Sequence, residues 1–171
     1  VYKSVLDIEE SVDLVNISIP AKYVPMALED CAKKGVKYAI IHTSGFKEAG
    51  PEGEALQTQM LDIAKKGKMR VYGPNSQGVM NTDPEVSLYA NFTFTPLQKG
   101  AVSILAQSGG VAELLNIHLR NGGAGFRLYA SPGNASDIDL NELLTAFGKD
   151  HGTKAILLHL EGLKDPAQFT R

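Results

Sequence analysis

The sequence predicts an α/β protein of two small three-layer units, each built on a parallel sheet. Three observations predict this class. Apolar, β-branched strand patterns alternate with amphipathic helix patterns along the chain. Gly or Pro closes most elements, and the alternation lapses once, over residues 82–100, before it restarts. This order implies parallel sheets with helices on both faces, in two domains that span residues 1–97 and 98–171.

In the first domain, three strand patterns alternate with two helix patterns. The stretch DLVNISI, residues 13–19, is rich in β-branched residues and is closed by Pro20, so it predicts a strand. A helix over 22–34 follows, with Gly35 as its C-terminal cap. The remaining elements are a strand in VKYAIIHTSG, a helix over 51–67, a strand over 69–72 and a loop or extended segment over 82–100.

In the second domain, strands and helices alternate again. The segment AVSILA predicts a strand and residues 110–120 a helix. The later elements are a strand in GFRLYAS, a helix over 137–147, a strand in TKAILLHLE, and a helix with Asp165 as N-cap and Pro166 at its first position. Three strands make a narrow sheet, so we expect the chain to be a piece of a longer protein that supplies further elements.

Composition excludes several classes of function. The 171 residues hold 17 Lys and Arg against 19 Asp and Glu, a formal charge of −2, which gives no basic excess for nucleic acid or an anionic membrane. Cys31 is the one cysteine, and no Cys and His spacing indicates zinc, so we expect no metal site and a reducing, cytoplasmic location. No apolar run approaches the roughly 20 residues of a membrane span, and VYKSVLDIEE lacks the pattern of a signal peptide.

Candidate ligand sites lie where strands end. In open parallel sheets ligands collect at the carboxyl ends of the strands, because the following helices direct their N-termini there. Six features occupy such positions: Ile19 with Pro20, Thr43 to Gly45, Gly73 to Gly78, Gln107 to Gly110, Ser131 to Asn134, and Glu161.

Each corner has a structural alternative to ligand binding. At Ser108, Gly109 and Gly110, missing side chains would let an oxyanion reach backbone amides at a helix N-terminus, but they would equally allow close packing of helix on strand. The segment GPNSQG is typical both of a ligand-holding loop and of a surface turn. Glu161 could orient an imidazole or be a solvated acid.

The four histidines are weaker candidates. His42 and His159 lie within strand patterns, where a hydrogen-bonded structural role is expected. His118 falls in the middle of a predicted helix and His151 in a polar loop. Sequence alone brings none of them next to a serine or a carboxylate.

Taken in order, the motifs resemble one family. IP, TSGFKEAGPEGEAL, RVYGPNSQGVMN, ILAQSGG, SPGNASDIDLNELL and LHLEGLKDP together resemble the NDP-forming acyl-CoA synthetases, relatives of the succinyl-CoA synthetase α subunit that include ADP-forming acetate-CoA ligase. The resemblance implies a Rossmann-like CoA-binding domain without its first β-α-β part, then the first half of a flavodoxin-like ligase domain. It also implies that acyl phosphate forms, that CoA displaces the phosphate, and that a histidine carries the phosphoryl group between sites.

The resemblance assigns residues to three roles. The CoA-lining positions match Ile19, Pro20, Thr43, Ser44, Gly45, Asn75 and Ser76. The turn that receives phosphate or phosphohistidine matches Ser108, Gly109 and Gly110, with Gly133 and Asn134 on a neighbouring corner. Glu161 matches the glutamate that orients the phosphorylated histidine.

The departures from the family matter equally. The phosphorylated histidine matches none of the four histidines, and the ATP-grasp region that would hold ATP or ADP with Mg is expected on a partner subunit or domain. The implied partners are a small carboxylic acid, CoA, phosphate and this ATP-grasp part, within an oligomer. One alternative is a CoA-binding regulatory module of the same fold, such as one fused to a protein acetyltransferase. A nicotinamide-dependent oxidoreductase is disfavoured, because no G-x-G-x-x-G turn is present.

Overall fold

The computed structural model describes residues 1–170. It divides into two compact units. The first consists of Val1–Ser76 with Ser136–Ile138, and the second begins at Gln77. The units therefore part before the predicted boundary between residues 97 and 98.

The first unit contains a three-stranded parallel sheet. Its elements are β1 (Leu14–Ile17), α1 (Val24–Lys34), β2 (Tyr38–Ile41), α2 (Pro51–Lys66) and β3 (Arg70–Tyr72). The strand order is β1-β2-β3, with Ile17 opposite Ile41 and Ile40 opposite Tyr72. Gly35 adopts a left-handed conformation with a φ of 83° at the end of α1, as predicted for a C-terminal cap.

The core of the first unit lies between the sheet and its two helices. Val24 and Leu28 from α1, Ile41 from β2, Met60 from α2 and Val71 from β3 are all fully buried. The helices α1 and α2 pack against each other. Since both crossovers advance in the same direction along the sheet, their usual right-handedness places both helices on one face.

A short returning segment, residues 136–138, runs antiparallel beside β3. Ser136 N–H donates to the Gly73 carbonyl at 2.9 Å, and Ile138 N–H donates to the Val71 carbonyl at 3.1 Å. The Asp137 carboxylate accepts from Val71 N–H at 2.7 Å and from the Arg70 Nε at 3.0 Å. Because these contacts hold the segment beside β3, the helix predicted to start at residue 137 starts later.

The second unit contains a five-stranded mixed sheet. Its elements are β4 (Gly78–Asn81), β5 (Leu88–Asn91), β6 (Lys99–Ala106), α3 (Gly109–Asn121), β7 (Phe126–Ser131), α4 (Leu140–Lys149), β8 (Ala155–His159) and α5 (Pro166–Phe169). The strand order is β5-β4-β7-β6-β8. Asp139 caps α4 by accepting from Glu142 N–H at 2.9 Å, so this helix begins three residues after the predicted start.

Two strands of this sheet correct the sequence prediction. The stretch 82–100, predicted to be a loop or extended segment, contains the strand β5, and β4, which was not predicted, just precedes it. β4 pairs antiparallel with β5 and with β7, Gly78 lying opposite both Asn91 and Ser131. The sheet is therefore parallel only across β7, β6 and β8. Pairing with β7 explains why β4 and β5 belong to the second unit.

The parallel strands of the second unit change direction of winding at β6. The chain passes from β6 through α3 to β7 on one side, and then through α4 to β8 on the other. Right-handed crossovers thus place α3 and α4 on opposite faces of the sheet. Ile104, Phe126 and Tyr129 are buried in this core, the two rings lying 5.7 Å apart.

An ion-pair cluster connects β7 of the second unit to the segments that follow β4 and α4. The Arg127 guanidinium contacts Asp83, and its Nη2 lies 2.9 Å from the Asp150 carboxylate. Thr153 Oγ1 also donates to that carboxylate at 2.7 Å. The Arg127 hydrogen bond, as the largest cause, lowers the pKa of Asp150 to about 2. Among the helices of residues 1–170, none has the length and apolar character needed to cross a membrane.

Candidate functional site

The corner after β1 and β2 is closed by a side-chain hydrogen bond. Thr43 Oγ1 donates to the Ile19 carbonyl at 2.7 Å and joins the two strand ends. Ile19, Pro20 and Ser44 are exposed there. The structure therefore brings these four sequence-predicted residues together on the surface of the first unit.

A glutamate that the sequence analysis missed occupies the amides after β2. One carboxylate oxygen of Glu48 accepts from Gly45 N–H at 2.6 Å and from Phe46 N–H at 3.1 Å. Gly45 has a φ of 100°, and a Cβ there would lie 3.3 Å from the Ala21 Cβ. These two donors already hold a carboxylate, so an anionic ligand would have to displace Glu48 to reach them. No local sequence signal marks Glu48, because acidic residues are common near helix starts.

The turn after β3 is tied to the end of β2. Asn75 N–H donates to the Thr43 carbonyl at 2.9 Å, and Asn75 itself is exposed. Ser76 is only 2% exposed, and its hydroxyl donates to the Ile41 carbonyl at 2.9 Å. The hydroxyl proton of Ser76 is thus used inside the unit, where it positions the turn, whereas Asn75 lies where a ligand could reach it.

His42 is held between two acceptor groups at the end of β2. Its Nδ1 lies 3.1 Å from the Ser76 carbonyl oxygen and its Nε2 lies 3.3 Å from the Asn16 side-chain oxygen. Burial lowers the pKa of this imidazole, so the neutral form is favoured, and its single N–H donates to one of these two oxygens. This geometry agrees with the structural role expected for His42.

The corner after β6 begins α3 and carries unpaired amides. Ser108 is the N-cap, and its Oγ accepts from Val111 N–H at 3.4 Å. Within residues 1–170, the N–H groups of Gly109 and Gly110 have no acceptor. Gly110 is exposed and Gly109 half-buried, so an anion has access to these donors from solvent.

Gln107 links this corner to Glu161. Its backbone N–H donates to the His159 carbonyl at 3.0 Å, which continues the pairing of β6 with β8. Its side-chain Oε1 accepts from Glu161 N–H at 2.5 Å and from Gly162 N–H at 2.9 Å. The Glu161 side chain is exposed. The winding reverses between β6 and β8, the position where open α/β sheets bind their ligands.

The corner after β7 lies next to the corner after β6. Ser131 Oγ donates to the Gln107 carbonyl at 3.5 Å. The chain then turns sharply, with Ala135 N–H donating to the Pro132 carbonyl at 3.1 Å and Gly133 at a φ of 56°. Asn134 lies in this turn, half-buried. The structure thus brings Gly133 and Asn134 to the same edge of the sheet as Ser108 to Gly110.

This edge of the second unit has the chemistry of an oxyanion site. Unpaired amides at a helix N-terminus bind phosphate, sulfate or carboxylate, and the helix dipole favours the negative charge. The backbone of Glu161 is tied to this corner, because its N–H donates to the Gln107 side chain, and its carboxylate is exposed. Within residues 1–170, no histidine side chain is hydrogen-bonded to Glu161, and no group of His, Cys, Asp and Glu side chains is arranged to hold a metal.

Comparison with known proteins identifies two domain families. Residues 1–82 match the model of a CoA binding domain, and residues 99–171 match that of a succinyl-CoA ligase like flavodoxin domain. Both matches agree with the fold and the resemblance described above.

Named relatives cover nearly the whole chain. ADP-forming acetate-CoA ligase of Methanocaldococcus jannaschii is 44% identical over 171 residues, and the α subunit of ADP-forming acetate-CoA ligase I of Pyrococcus furiosus is 41% identical over 169. These matches take in 96% and 99% of this chain but only 23% and 36% of the relatives.

A solved structure agrees closely with the fold. The dinucleotide forming acetyl-coenzyme A synthetase 1 of Candidatus Korarchaeum cryptofilum, in complex with phosphate and ADP, gives a TM-score of 0.88 at 35% identity. The match covers 98% of this chain and 35% of that one. The comparisons confirm the family resemblance read from the motifs.

Proposed function

Because the chain belongs to the family of the NDP-forming acyl-CoA synthetases, we propose that the complete protein joins a small carboxylic acid to CoA with nucleotide-derived phosphate. Its activity would be that of an acid-thiol ligase. The described residues would provide the CoA-binding part and half of the reaction site.

One observation carries this proposal. At the edge of the second unit, the unpaired amides of Gly109 and Gly110 lie beside the loop of Glu161, and the Gln107 side chain joins the two through hydrogen bonds of 2.5 and 2.9 Å. Donors for a phosphoryl group and a carboxylate that can orient an imidazole thus share one edge. This pairing suits phosphoryl transfer to and from a histidine better than it suits simple anion binding.

The proposed chemistry at this edge has two steps. Phosphohistidine would transfer its phosphoryl group to the acid, and the phosphoryl oxygens would lie against the amides at Ser108 to Gly110 throughout, with Gly133 and Asn134 on the flank. Glu161 would accept a hydrogen bond from the second ring nitrogen and so fix the tautomer and orientation of the imidazole. The CoA thiolate would then attack the acyl carbonyl carbon, and phosphate would leave with the bonding electron pair.

The first unit would hold CoA. Ile19, Pro20, Ser44 and Asn75 present exposed surface at the carboxyl ends of its strands. Thr43, Gly45 and Ser76 would shape this corner through backbone contacts rather than donate to the ligand, since their polar groups are already bonded.

The other components would come from outside the described residues. We assign the phosphorylated histidine to another segment, and ATP or ADP with Mg to an ATP-grasp subunit or domain within an oligomer. Cys31 is a free, buried thiol, and the use of a single unpaired cysteine suits the reducing cytoplasmic location included in this proposal.

Direct binding measurements test the two halves separately. Isothermal titration of this chain with CoA and with inorganic phosphate should give one saturable site for each. Phosphate binding should persist in the presence of CoA, because the corners lie on different sheets. Failure of both ligands to bind would contradict the proposal.

Catalysis tests the role of Glu161 in the complete enzyme. Glu161→Gln should lower kcat and the level of phosphohistidine by about 100-fold, because the amide cannot serve as the charged partner of the ring. Glu85→Gln, an exposed acid on the β4–β5 connection, is the matched control and should behave as wild type. CoA binding without any histidine phosphorylation in the wild-type protein would favour the regulatory module instead.

A further inference from the structure

A cavity of about 450 Å³ in the first unit lies outside the corners assigned to CoA and phosphate. It is lined by the last two turns of α2, by residues 68–70 at the start of β3, and by residues 136 and 137 of the returning segment. All of these residues belong to the first unit. The volume is within the range of pockets that hold small molecules.

The lining of this cavity combines apolar and cationic side chains. Ala64 and Met69 are only 2% and 3% exposed, and Leu61, which is half-buried, completes the apolar part. Lys65 and Lys68 line the same cavity and are exposed. The apolar surface favours a ligand with an apolar body, and the ammonium groups favour an anionic head.

The two lysine charges have no counter-charge in the chain. Arg70 and Asp137 also line the cavity, but they offset each other, because the Arg70 Nε donates to the Asp137 carboxylate oxygens at 3.0 and 3.1 Å. Within residues 1–170, neither Lys65 nor Lys68 forms an ion pair or a side-chain hydrogen bond. The cavity therefore presents uncompensated positive charge beside apolar surface.

The turn that ends α2 places both lysines at the cavity. Met69 N–H donates to the Ala64 carbonyl at 2.9 Å and Lys68 N–H donates to the Lys65 carbonyl at 3.2 Å, which are the two hydrogen bonds of a Schellman motif. Lys68 takes the left-handed position of this motif, with a φ of 54°, where glycine is the usual residue. A lysine thus occupies a backbone position that is unfavourable for any residue with a side chain.

We propose that this cavity binds a small organic anion, a carboxylic acid that carries an apolar chain or ring. Its carboxylate lies between the ammonium groups of Lys65 and Lys68, and its apolar part packs on Leu61, Ala64 and Met69. These two donors suit a carboxylate, whereas a phosphate group presents three strong acceptor oxygens. The inference is independent of the proposed function, because the cavity shares no residue with the CoA and phosphate corners.

Hexanoate is the probe that tests this site, with the methyl groups of the four methionines as reporters. In the chain labelled with ¹³C-methyl methionine, the Met69 signal, identified by its loss in Met69→Leu, should shift saturably with hexanoate at neutral pH. Met60, fully buried in the same unit, and Met80 of the second unit should shift little. Acetate lacks the apolar chain and hexan-1-ol lacks the charge, so each should bind at least about fivefold more weakly.

Lysine variants test the cationic part of the cavity. The double variant Lys65→Gln with Lys68→Gln removes two exposed charges, and we expect about fivefold weaker hexanoate binding. Lys66→Gln is the matched control, because it removes a charge from the same helical turn at an exposed residue outside the lining, and it should bind as wild type. Unchanged far-UV circular dichroism shows that the variants fold, and the comparison of ligands needs only the wild-type chain.

The outcomes separate this site from the proposed function. The site is overturned if the Met69 signal shows no saturable shift, if hexan-1-ol binds as well as hexanoate, or if the double variant binds hexanoate as wild type does. Hexanoate shifts confined to the amides of Gly109 and Gly110, in a ¹⁵N-labelled sample, would also overturn it while the phosphate corner stands. A Met69 shift in a chain that binds neither CoA nor phosphate would support the cavity and contradict the proposed function.

Discussion

The corners at the carboxyl ends of the strands differ between the two units in whether their polar groups are already hydrogen-bonded. In the first unit, Thr43, Gly45 and Ser76 are all engaged, bonded to Ile19, Glu48 and Ile41 respectively. In the second unit, the amides of Gly109 and Gly110 are unpaired. Similar strand-end motifs thus give one corner whose polar groups are already hydrogen-bonded within its unit and one corner whose backbone N–H groups have no acceptor.

Under the proposed function, this difference would give two modes of ligand binding. A satisfied corner can offer only shape and exposed side chains, such as those of Ser44 and Asn75, which suits a long flexible ligand such as CoA. An unpaired corner can gain hydrogen bonds from an anion that fits, because free amides at a helix N-terminus favour negative charge. The predictions below are arranged from the largest expected effect to the smallest.

The largest effect is expected from adding a side chain at the corner after β6, where the amides are unpaired. Gly109→Val adds a Cβ about 3.3 Å from Gln77, together with two methyl groups near the unpaired amides. We expect phosphate affinity to fall at least tenfold, since several donors to the anion are lost at once. CoA affinity should not change. Calorimetry with both ligands checks this, and equal loss of both would remove the distinction between the corners.

A paired substitution then tests the satisfied corner. Ser76→Ala leaves the Ile41 carbonyl without its donor, and we expect the free energy of unfolding to fall by about 1–3 kcal/mol with little change in CoA affinity. Ser44→Ala, at an exposed side chain, should lower CoA affinity and change stability by less than about 0.5 kcal/mol. Denaturant unfolding and CoA titration of both variants decide the matter. If Ser76→Ala instead lowered CoA affinity while Ser44→Ala did not, Ser76 would be the residue that contacts CoA.

The two units should also differ in their response to acid. Burial lowers the pKa of His42 from its usual value of 6.5, so the unfolded chain binds this proton at a higher pH than the folded one. The first unit should therefore lose stability as the pH falls below about 6.5. Asp150, with its pKa lowered from 3.8 to about 2, stabilises the second unit above pH 3.8 and loses this effect as the pH falls toward 2.

Hydrogen exchange resolves the two units in this experiment. Between pH 7 and pH 5, after correction for intrinsic rates, protection of the β2 amides should decrease more than that of β7. His42→Asn should reduce the difference. Equal behaviour of the two strands would show that burial of His42 has no net effect on the first unit.

The smallest effect is expected at a glycine where a side chain would meet no steric obstacle. A Cβ at Gly148, near the end of α4, would meet nothing within 4 Å. Gly148→Ala should raise the free energy of unfolding by about 0.5 kcal/mol, because alanine loses less backbone entropy in a helix. Phosphate affinity should stay at the wild-type value, in contrast to Gly109→Val. A loss of phosphate binding here would show that the first test reports general damage.

Local sequence patterns predicted the parallel strands and the helices well. Gly35 marks the end of α1, and Ser108 marks the start of α3, because caps depend on one or two residues. β4 and β5 escaped prediction, since each has only four residues and gains its partners from distant strands. The start of α4 was predicted too early, because Asp137 bonds to Arg70 and Val71, far away in sequence.

The sequence by itself determined which segments are strands and helices, where the glycine-rich corners lie and which family they resemble, because periodicity, capping and turn chemistry are local. Only the tertiary structure decided which donors at those corners remain unpaired. Glu48 fills one set of amides, whereas the Gln77 carboxamide reaches Gly109 with its oxygen held by Tyr129, 52 residues away. A hydrogen bond between residues so distant depends on the packing of whole strands, which no local pattern encodes.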